Sequence, residues 1–195
     1  MYKFAICGRA GSGKNTIGDM IIKEFSDKYA YKHRQIAFAD PVKDIARIMF
    51  PHAPERYWTG ASEYRNSFID HAFKHNQPLT ARQLLIDIGS NLGRGYDSNI
   101  WINVLDYRLS TYSKDEVLVL TDCRFINEHN FLKSKGFTLI KVQRPSCSKI
   151  EHVSETELER IPNYQFDYII DNNGSLSDLH KNVINMLNSV ISKKT

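Results

Sequence analysis

The most informative segment of this sequence reads Gly8-Arg9-Ala10-Gly11-Ser12-Gly13-Lys14-Asn15-Thr16. It fits the pattern GxxxxGK and lies between an apolar run at residues 4–7 and apolar residues that recur at helical spacing. Glycines in such a loop let backbone N–H groups approach phosphate oxygens, because a side chain there would block the approach. The start of the following helix adds the positive end of its dipole, and Lys14 can reach the β- and γ-phosphates of a nucleoside triphosphate. The segment therefore predicts a phosphate-binding loop.

One position of this loop departs from the usual pattern. Asn15 stands where Ser or Thr commonly binds Mg²⁺, and the hydroxyl follows one residue later, at Thr16. This GKxT order resembles a variant found in nucleoside monophosphate kinases, and it disfavours a GTPase or a motor, in which GK[ST] is usual. Thr16 is then expected to contact phosphate and is a candidate Mg²⁺ ligand, with the ion held largely through water. We expect the nucleotide to be bound by Gly8, Gly11, Ser12, Gly13, Lys14, Asn15 and Thr16.

The rest of the chain follows the pattern of an α/β protein. Apolar runs typical of strands occupy residues 35–39, 117–120, 137–142 and 168–170, and segments with helical spacing separate them. Strands that alternate with helices form a parallel sheet with right-handed crossovers. The sequence therefore predicts a P-loop NTPase fold, with three α/β/α layers around a central, mostly parallel five-stranded sheet. Ligands in such folds lie beyond the carboxyl ends of the strands.

Two segments interrupt this alternation. Between residues 51 and 78 the chain is polar and aromatic with no clear strand, and we interpret residues 51–112 as a helical insertion. A polar and charged stretch at residues 144–166 is predicted to act as a lid. Because neither segment is bounded by a linker of low complexity, the sequence predicts a single kinase domain over residues 1–195.

Composition and charge exclude several other classes of protein. A chain of 195 residues corresponds to about one domain, and a net charge of +4 suits an anionic ligand without indicating nucleic-acid binding. The three cysteines form no CxxC pair, so neither a disulfide framework nor a zinc site is indicated. No signal peptide and no apolar run of about 20 residues is present. We expect a cytoplasmic protein, in the host cytoplasm if it is viral, that binds neither membrane nor nucleic acid.

The end of the apolar run at residues 117–120 carries a second candidate site. Asp122 lies where the acidic residue of a Walker B motif would follow its strand, and a carboxylate there can hold Mg²⁺ or its waters. Arg124, two residues later, is positioned to stabilise charge on a phosphoryl group in transfer. The alternative is that Asp122 caps a helix and that Arg124 is a solvated surface residue.

Several cationic side chains are candidates for binding a second phosphate group. Transfer of a phosphoryl group between two nucleotides requires that two clustered anions be neutralised. Thr80 is predicted to cap a helix over residues 81–92, which places Arg82 near a helix start, where anions bind. Asp40 follows the second strand, where it either accepts a hydrogen bond from a hydroxyl of the acceptor sugar or from a water on Mg²⁺, or serves only as a helix cap. The candidates for the acceptor site are Asp40, Lys43, Arg65, Arg82 and Arg94, and Arg144 joins Lys14, Asp122 and Arg124 as a candidate catalytic residue.

Four segments together resemble the bacteriophage deoxynucleoside monophosphate kinases, a group of P-loop kinases similar to adenylate kinase. They are residues 8–16, 38–44, 80–101 and 121–145, and a tail pattern at residues 152–155 and 171–176 also fits. The resemblance implies ATP-dependent phosphorylation of a deoxynucleoside monophosphate to its diphosphate, with Mg²⁺ accompanying ATP. It further implies that the insertion helps to form the acceptor site and that Asn172 and Gly174 lie near the adenine of ATP. A homodimer and the identity of the base stay open.

Other functions remain as alternatives on the sequence alone. Another small-molecule P-loop kinase, such as dephospho-coenzyme A kinase, has a similar tail turn. A nucleotide-dependent switch would use the DxxG pattern at residues 171–174, but no NKxD follows it for guanine recognition. An ATPase stimulated by nucleic acid is disfavoured because the chain lacks a basic stripe.

Overall fold

The computed structural model describes residues 1–144 and 157–193. Its strands, in chain order, are β1 (Tyr2–Cys7), β2 (Lys32–Ile36), β3 (Phe68–Lys74), β4 (Gln77–Thr80), β5 (Glu116–Leu120), β6 (Thr138–Gln143) and β7 (Tyr168–Asp171). Its helices are α1 (Lys14–Tyr29), α2 (Asp40–Met49), α3 (Arg56–Thr59), α4 (Ser62–Arg65), α5 (Ala81–Ile86), α6 (Ile100–Thr111), α7 (Ile126–Ser134) and α8 (Leu176–Ser192). A π-helical segment, Asp87–Arg94, continues α5, and a 3₁₀ turn spans Asn163–Gln165.

The chain divides into two compact units, of which the first contains a five-stranded sheet. This unit spans Met1–Ala37 and Thr111–Thr195, and its strands are ordered β2–β5–β1–β6–β7 with every neighbouring pair parallel. Strand β5, which lies between β2 and β1, is buried along its whole length, as a strand covered on both faces must be. The expected parallel five-stranded sheet with flanking helices is therefore confirmed.

Apolar side chains of two helices cover one face of this sheet. Phe4 and Ile6 of β1 pack in one cluster with residues of α1 and α8, among them Ile21 and Val183. Successive residues of a strand point to opposite faces, so Ala5 belongs to the other face. Ala5 is also fully buried, which shows that both faces are covered at this strand and explains why β1 ends in a continuous apolar run.

The ends of several elements differ from the sequence prediction. Strand β2 ends at Ile36, three residues before the predicted end, because Phe38 and Ala39 already turn towards α2. Asp40 is not a helix cap: α2 includes Asp40 in its first turn, and Ala39 occupies the cap position without a side-chain bond. Thr80 does cap α5, since its hydroxyl accepts a hydrogen bond from the backbone of Gln83 at 3.2 Å.

The second unit, Phe38–Ser110, contains a β-hairpin that the sequence analysis missed. Residues 51–78 were expected to be helical, yet strands β3 and β4 pair antiparallel within this unit. The two-residue turn uses His75 and Asn76, both with positive φ, in place of the usual Asn-Gly. A bulge at His71, with φ of 57°, breaks the alternation of β3, and Pro78 lies inside β4. These three features remove the ordinary signals of a hairpin.

The helix predicted over residues 81–92 is also only partly correct. The α-helix ends at Ile86, and the chain continues in wider π-helical turns to Arg94. Trp101 packs against this segment, where its indole N–H donates to the carbonyl oxygen of Gly89 at 2.7 Å. A Cβ atom on Gly93 would lie 2.3 Å from the Trp101 ring, so the close packing of the indole requires glycine there.

The predicted lid falls partly in the undescribed part of the chain. Residues 145–156, which include much of that segment and Cys147, lie outside the described residues. In the described part of the chain, no helix has both the length and the apolar character needed to cross a membrane.

Candidate active site

The phosphate loop connects β1 to α1 in the first unit. The backbone N–H of Ser12 donates to the carbonyl oxygen of Arg9 at 3.2 Å, which closes a turn, and α1 begins at Lys14. Its cap residue, Gly13, makes no side-chain hydrogen bond, and the first turn of α1 contains no acidic residue. The first N–H groups of a helix have no acceptor within the helix, so this end of α1 is suited to an anion.

Lys14 lies across its own loop. Its ammonium group donates to the carbonyl oxygens of Gly8 at 2.8 Å and of Arg9 at 2.6 Å. These contacts hold the positive charge inside the curve of the loop. The role of Lys14 as the cation that contacts the β- and γ-phosphates stays a prediction.

Two glycines of the loop are required by close packing. A Cβ atom on Gly8 would lie 2.8 Å from the Ser12 hydroxyl and 2.9 Å from the carbonyl oxygen of Val142. Gly13 has φ of 99°, and a Cβ atom there would lie 2.4 Å from the side-chain nitrogen of Asn172. The loop is therefore shaped by its neighbours on β6 and after β7 as well as by its own glycines.

A cavity of about 340 Å³ lies beside the loop within the first unit. It is lined by residues of the loop, of the end of β6 and of the segments around Arg124 and Glu159, and four of these residues are basic and one is acidic. The lining residues are Gly8, Arg9, Ser12, Arg124, Lys141, Val142, Gln143, Arg144, Leu158 and Glu159. An excess of positive charge around a cavity at a phosphate loop favours a ligand with several negative charges.

Arg144 and Arg124, both predicted from the sequence, reach this cavity from different strands. Arg144 follows β6, and its guanidinium donates to the carbonyl oxygen of Gly11 at 3.4 Å. Arg124 follows β5 in a loop that the buried carboxylate of Glu128 holds in place. One oxygen of Glu128 accepts from the backbone N–H groups of Arg124 at 2.8 Å and of Phe125 at 3.1 Å. The structure therefore brings the two predicted arginines to one site.

Asp122 lies at the same edge of the sheet as the phosphate loop. Strand β5 pairs with β1 so that Leu120 lies opposite Ala5. Asp122 follows Leu120 by two residues, and Gly8 follows Ala5 by three, so both lie at the carboxyl ends of adjacent strands. The alternative role of Asp122 as a helix cap is wrong, because α7 begins only at Ile126.

The sequence analysis missed four side chains that line or support the cavity: Arg9, Glu128, Lys141 and Glu159. Arg9 and Glu159 form an ion pair. Lys141 donates to the side-chain oxygen of Asn163 at 2.9 Å, and burial lowers the pKa of its ammonium group. Lys141 is a charged residue within the otherwise apolar run of β6, and this interruption is the sequence signal that could have indicated its role.

The two residues predicted as nucleotide contacts in the last loop, Asn172 and Gly174, lie in different surroundings. Asn172 donates through its side chain to the carbonyl oxygen of Ser12 at 2.8 Å, so it touches the phosphate loop itself. Gly174 lies against the cap of α8, where a Cβ atom would be 2.9 Å from a carboxylate oxygen of Asp178. Only the first of the two therefore has a direct link to the phosphate loop in the contacts that the structure gives.

The predicted acceptor residues all lie in the second unit. Helix α5, which carries Arg82, packs against α2, α4 and the π-helical segment, which carry the others. Lys43 donates to the Asp40 carboxylate at 3.2 Å, and Arg82 donates to the side chain of Asn66 at 2.8 Å. Arg65 ends α4, and Arg94 ends the π-helical segment.

Two buried cysteines lie next to residues of the candidate active site in the first unit. Cys7 ends β1 and Cys123 follows Asp122, and both are free thiols with no exposed surface. The hydrogen bond with Cys7 and burial together raise the pKa of the Cys123 thiol well above its ordinary range. Among residues 1–144 and 157–193, no group of three or more His, Cys, Asp or Glu side chains is placed to hold a metal ion.

Comparison with protein families decides which kinase this arrangement resembles. The family model of deoxynucleotide monophosphate kinases matches residues 59–183, which is more than half of the chain. The chain belongs to the deoxynucleotide monophosphate kinase family. The matched residues begin after the phosphate loop, so the loop is a separate observation that agrees with membership of this kinase family.

Individual proteins give the same result. A protein of Acanthamoeba polyphaga mimivirus named "Putative deoxynucleotide monophosphate kinase" is 28% identical over 201 residues, which cover 97% of each chain. Shikimate kinase from Acinetobacter baumannii, solved with shikimate, has a TM-score of 0.52 at 13% identity over 100% of this chain and 96% of its own. This second likeness is one of fold alone, and it agrees with the parallel five-stranded sheet and its flanking helices. The expectation that this family member is a nucleoside monophosphate kinase is confirmed.

Proposed function

We propose that the chain phosphorylates deoxynucleoside monophosphates to diphosphates with ATP as the donor. The observation that supports this most strongly is the cation-lined cavity beside a phosphate loop, in a member of the deoxynucleotide monophosphate kinase family. The reaction supplies nucleoside diphosphates and so belongs to nucleotide biosynthesis.

The donor side of the reaction is assigned to the first unit. Backbone N–H groups of residues 8–16 and the ammonium group of Lys14 bind the phosphates of ATP. A phosphate oxygen of the acceptor attacks the γ-phosphorus in line, and the bond from that phosphorus to the β,γ-bridging oxygen breaks. ADP leaves with the electron pair of the broken bond. Arg124 and Arg144 stabilise the charge that is spread over the transferred group, which is the main task of a phosphoryl-transfer enzyme.

Oxygen donors in the first turn of α1 and in the loop after β5 are of the kind that Mg²⁺ prefers. Thr16 provides a hydroxyl and Asp122 a carboxylate, and Mg²⁺ is commonly bound by one or two such groups together with water and substrate phosphates. Bound with ATP, the ion would neutralise charge on the phosphates. Thr16 and Asp122 would hold this ion and would thereby orient the nucleotide.

The acceptor side is assigned to the second unit. Asp40, Lys43, Arg65, Arg82 and Arg94 lie on elements that pack around α5. Cationic groups on rigid helices are suited to hold a phosphate monoester with little loss of side-chain entropy. We assign to them the phosphate of the acceptor, and to Asp40 its sugar.

A panel of acceptors tests the proposal. Purified protein is mixed with Mg-ATP and, separately, with dAMP, dGMP, dCMP, dTMP, hydroxymethyl-dCMP, AMP, GMP, CMP, UMP or dephospho-coenzyme A. ADP and the phosphorylated acceptor are then identified by chromatography. We expect diphosphate from at least one deoxynucleotide, loss of this activity in Lys14→Ala, and no loss in Lys23→Ala, which removes an exposed lysine of the same helix. Turnover of dephospho-coenzyme A alone, or release of phosphate without an acceptor, would contradict the proposal.

A further inference from the structure

The loop after the last strand is tied to the phosphate loop through one side chain. Asn172 follows β7, and its backbone N–H donates to the carbonyl oxygen of Gln143 at 2.8 Å. Its side-chain nitrogen donates to the carbonyl oxygen of Ser12, also at 2.8 Å. Asn172 is therefore anchored to β6 by its backbone and reaches a residue 160 positions earlier in the chain through its side chain.

The same side chain packs against Gly13. A Cβ atom on Gly13 would lie 2.4 Å from the Asn172 nitrogen, which is closer than non-bonded atoms approach. The amide thus occupies the space that the missing side chain of Gly13 leaves open. Gly13 is the cap of α1 and has φ of 99°, so the contact is made where the loop turns into the helix.

The geometry of the peptide bond connects this contact to phosphate binding. The carbonyl group of Ser12 and the N–H group of Gly13 belong to one planar trans peptide, so they point in opposite directions. A hydrogen bond that holds the Ser12 oxygen towards Asn172 therefore holds the Gly13 N–H away from Asn172. Backbone N–H groups of a glycine-rich loop are the groups that bind phosphate oxygens.

We propose that Asn172 is a positioning residue, which fixes the Ser12–Gly13 peptide so that the loop is already arranged to bind the phosphates of ATP. It acts through the loop and not through the adenine, which is the role that family resemblance alone suggests. The proposal rests on the proposed function only in taking ATP as the ligand of the loop.

Two substitutions and a matched control separate the roles. Asn172→Ala removes the side-chain donor, and Asn172→Asp keeps the size of the side chain but, when ionised, has no hydrogen to donate to the Ser12 oxygen. Asn173→Ala is the control, because Asn173 is the exposed neighbour in the same turn. Thermal unfolding of all three variants confirms that they are folded.

The readout is binding of ATP and of inorganic tripolyphosphate, which has the phosphates without a base. Loss of one hydrogen bond corresponds to an affinity about 3- to 10-fold lower. We expect this loss for ATP and for tripolyphosphate alike in Asn172→Ala, a loss at least as large in Asn172→Asp, and no change in Asn173→Ala. In turnover, KM for ATP rises by the same factor while kcat and KM for the acceptor change less than about twofold.

Other outcomes overturn the inference. A loss confined to ATP, with tripolyphosphate unaffected, would assign Asn172 to the base. Unchanged affinity in both Asn172 variants, or wild-type protein that binds ATP but not tripolyphosphate, would show that this contact does not set phosphate binding. Wild-type protein that binds ATP but transfers phosphate to no acceptor would refute the proposed function alone, since the binding measurements still decide the role of Asn172.

Discussion

Replacing Gly13 with alanine perturbs the phosphate loop in two ways that the structure separates. A residue with a Cβ atom at positive φ costs about 1–2 kcal/mol relative to glycine. The new Cβ atom would also lie 2.4 Å from the Asn172 side chain. Asn172 must then move, and its hydrogen bond to Ser12, worth about 1 kcal/mol, is lost. The two effects together amount to about 2–3 kcal/mol.

Gly136 provides a matched control for this substitution. It has φ of 71°, similar to that of Gly13, but no atom lies within 4 Å of the position of its Cβ. Gly136→Ala is expected to lower the free energy of unfolding by about 1–2 kcal/mol and to leave ATP affinity unchanged. In Gly13→Ala the loop distorts to relieve the strain. The free energy of about 2–3 kcal/mol that returns the loop to its binding conformation must then be supplied when ATP binds. Its ATP affinity is expected to fall roughly 30- to 150-fold.

The assay is equilibrium binding of ATP by both variants and the wild type, with thermal unfolding in parallel. An ATP affinity that falls equally in Gly13→Ala and Gly136→Ala would refute the reasoning, because the loss would then reflect general destabilisation. Wild-type affinity in Gly13→Ala would refute it as well, since the close contact with Asn172 would have no consequence for the loop.

Three further predictions concern the loop after β5 and helix α7. Arg124→Ala should lower kcat by about 100- to 1000-fold, as expected for a group that stabilises the transition state. Arg160→Ala, on an exposed turn, is the control and should leave kcat unchanged, and single-turnover assays measure both variants. Glu128→Ala removes the buried carboxylate that accepts from the partly buried N–H groups of Arg124 and Phe125, which should destabilise the protein by about 1–3 kcal/mol in urea unfolding. Glu128→Gln should cost less because it keeps an oxygen. Burial lowers the pKa of His129 in the folded protein, so as the pH falls this histidine is protonated in the unfolded chain before it is protonated in the folded one. The free energy of unfolding therefore decreases as the pH drops below about 6.5. The decrease between pH 7.5 and 5 should be smaller in His129→Gln.

The first unit was largely predictable because its signals are local. The GxxxxGK segment combines glycines, a lysine and a strand–loop–helix pattern within a few residues, and each signal predicts the same structure. Strand β5 is a continuous apolar run, which is typical of a strand buried on both faces. The fold follows from such elements because parallel strands joined by helices allow few topologies.

The second unit was less predictable because its backbone breaks the ordinary rules. The hairpin has His75 and Asn76 in its turn and Pro78 in its second strand, so periodicity and turn residues both indicate a loop. The π-helical segment depends on the packing of Trp101 between Gly89 and Gly93, which is a tertiary contact. Neither feature has a pattern that a sequence window can detect.

The residues of the candidate site were likewise predictable only in part. Lys14, Asp122, Arg124 and Arg144 were predicted because each follows a strand of the parallel sheet at its carboxyl end. Lys141 was missed because it lies inside strand β6, and Glu159 because its importance comes only from its ion pair with Arg9. Asn172 was predicted as a nucleotide ligand, but its contact with Ser12 joins positions that the sequence does not connect.

The most direct test of the central claim is ³¹P NMR of the reaction itself. Wild-type protein is incubated with Mg-ATP and a mixture of the four deoxynucleoside monophosphates, and the spectrum is followed with time. We predict that ADP and deoxynucleoside diphosphate appear in equal amounts, with no inorganic phosphate, and that Lys14→Ala gives neither. Inorganic phosphate in place of the second diphosphate, or an unchanged spectrum, would contradict the claim that this site transfers a phosphoryl group to a nucleotide.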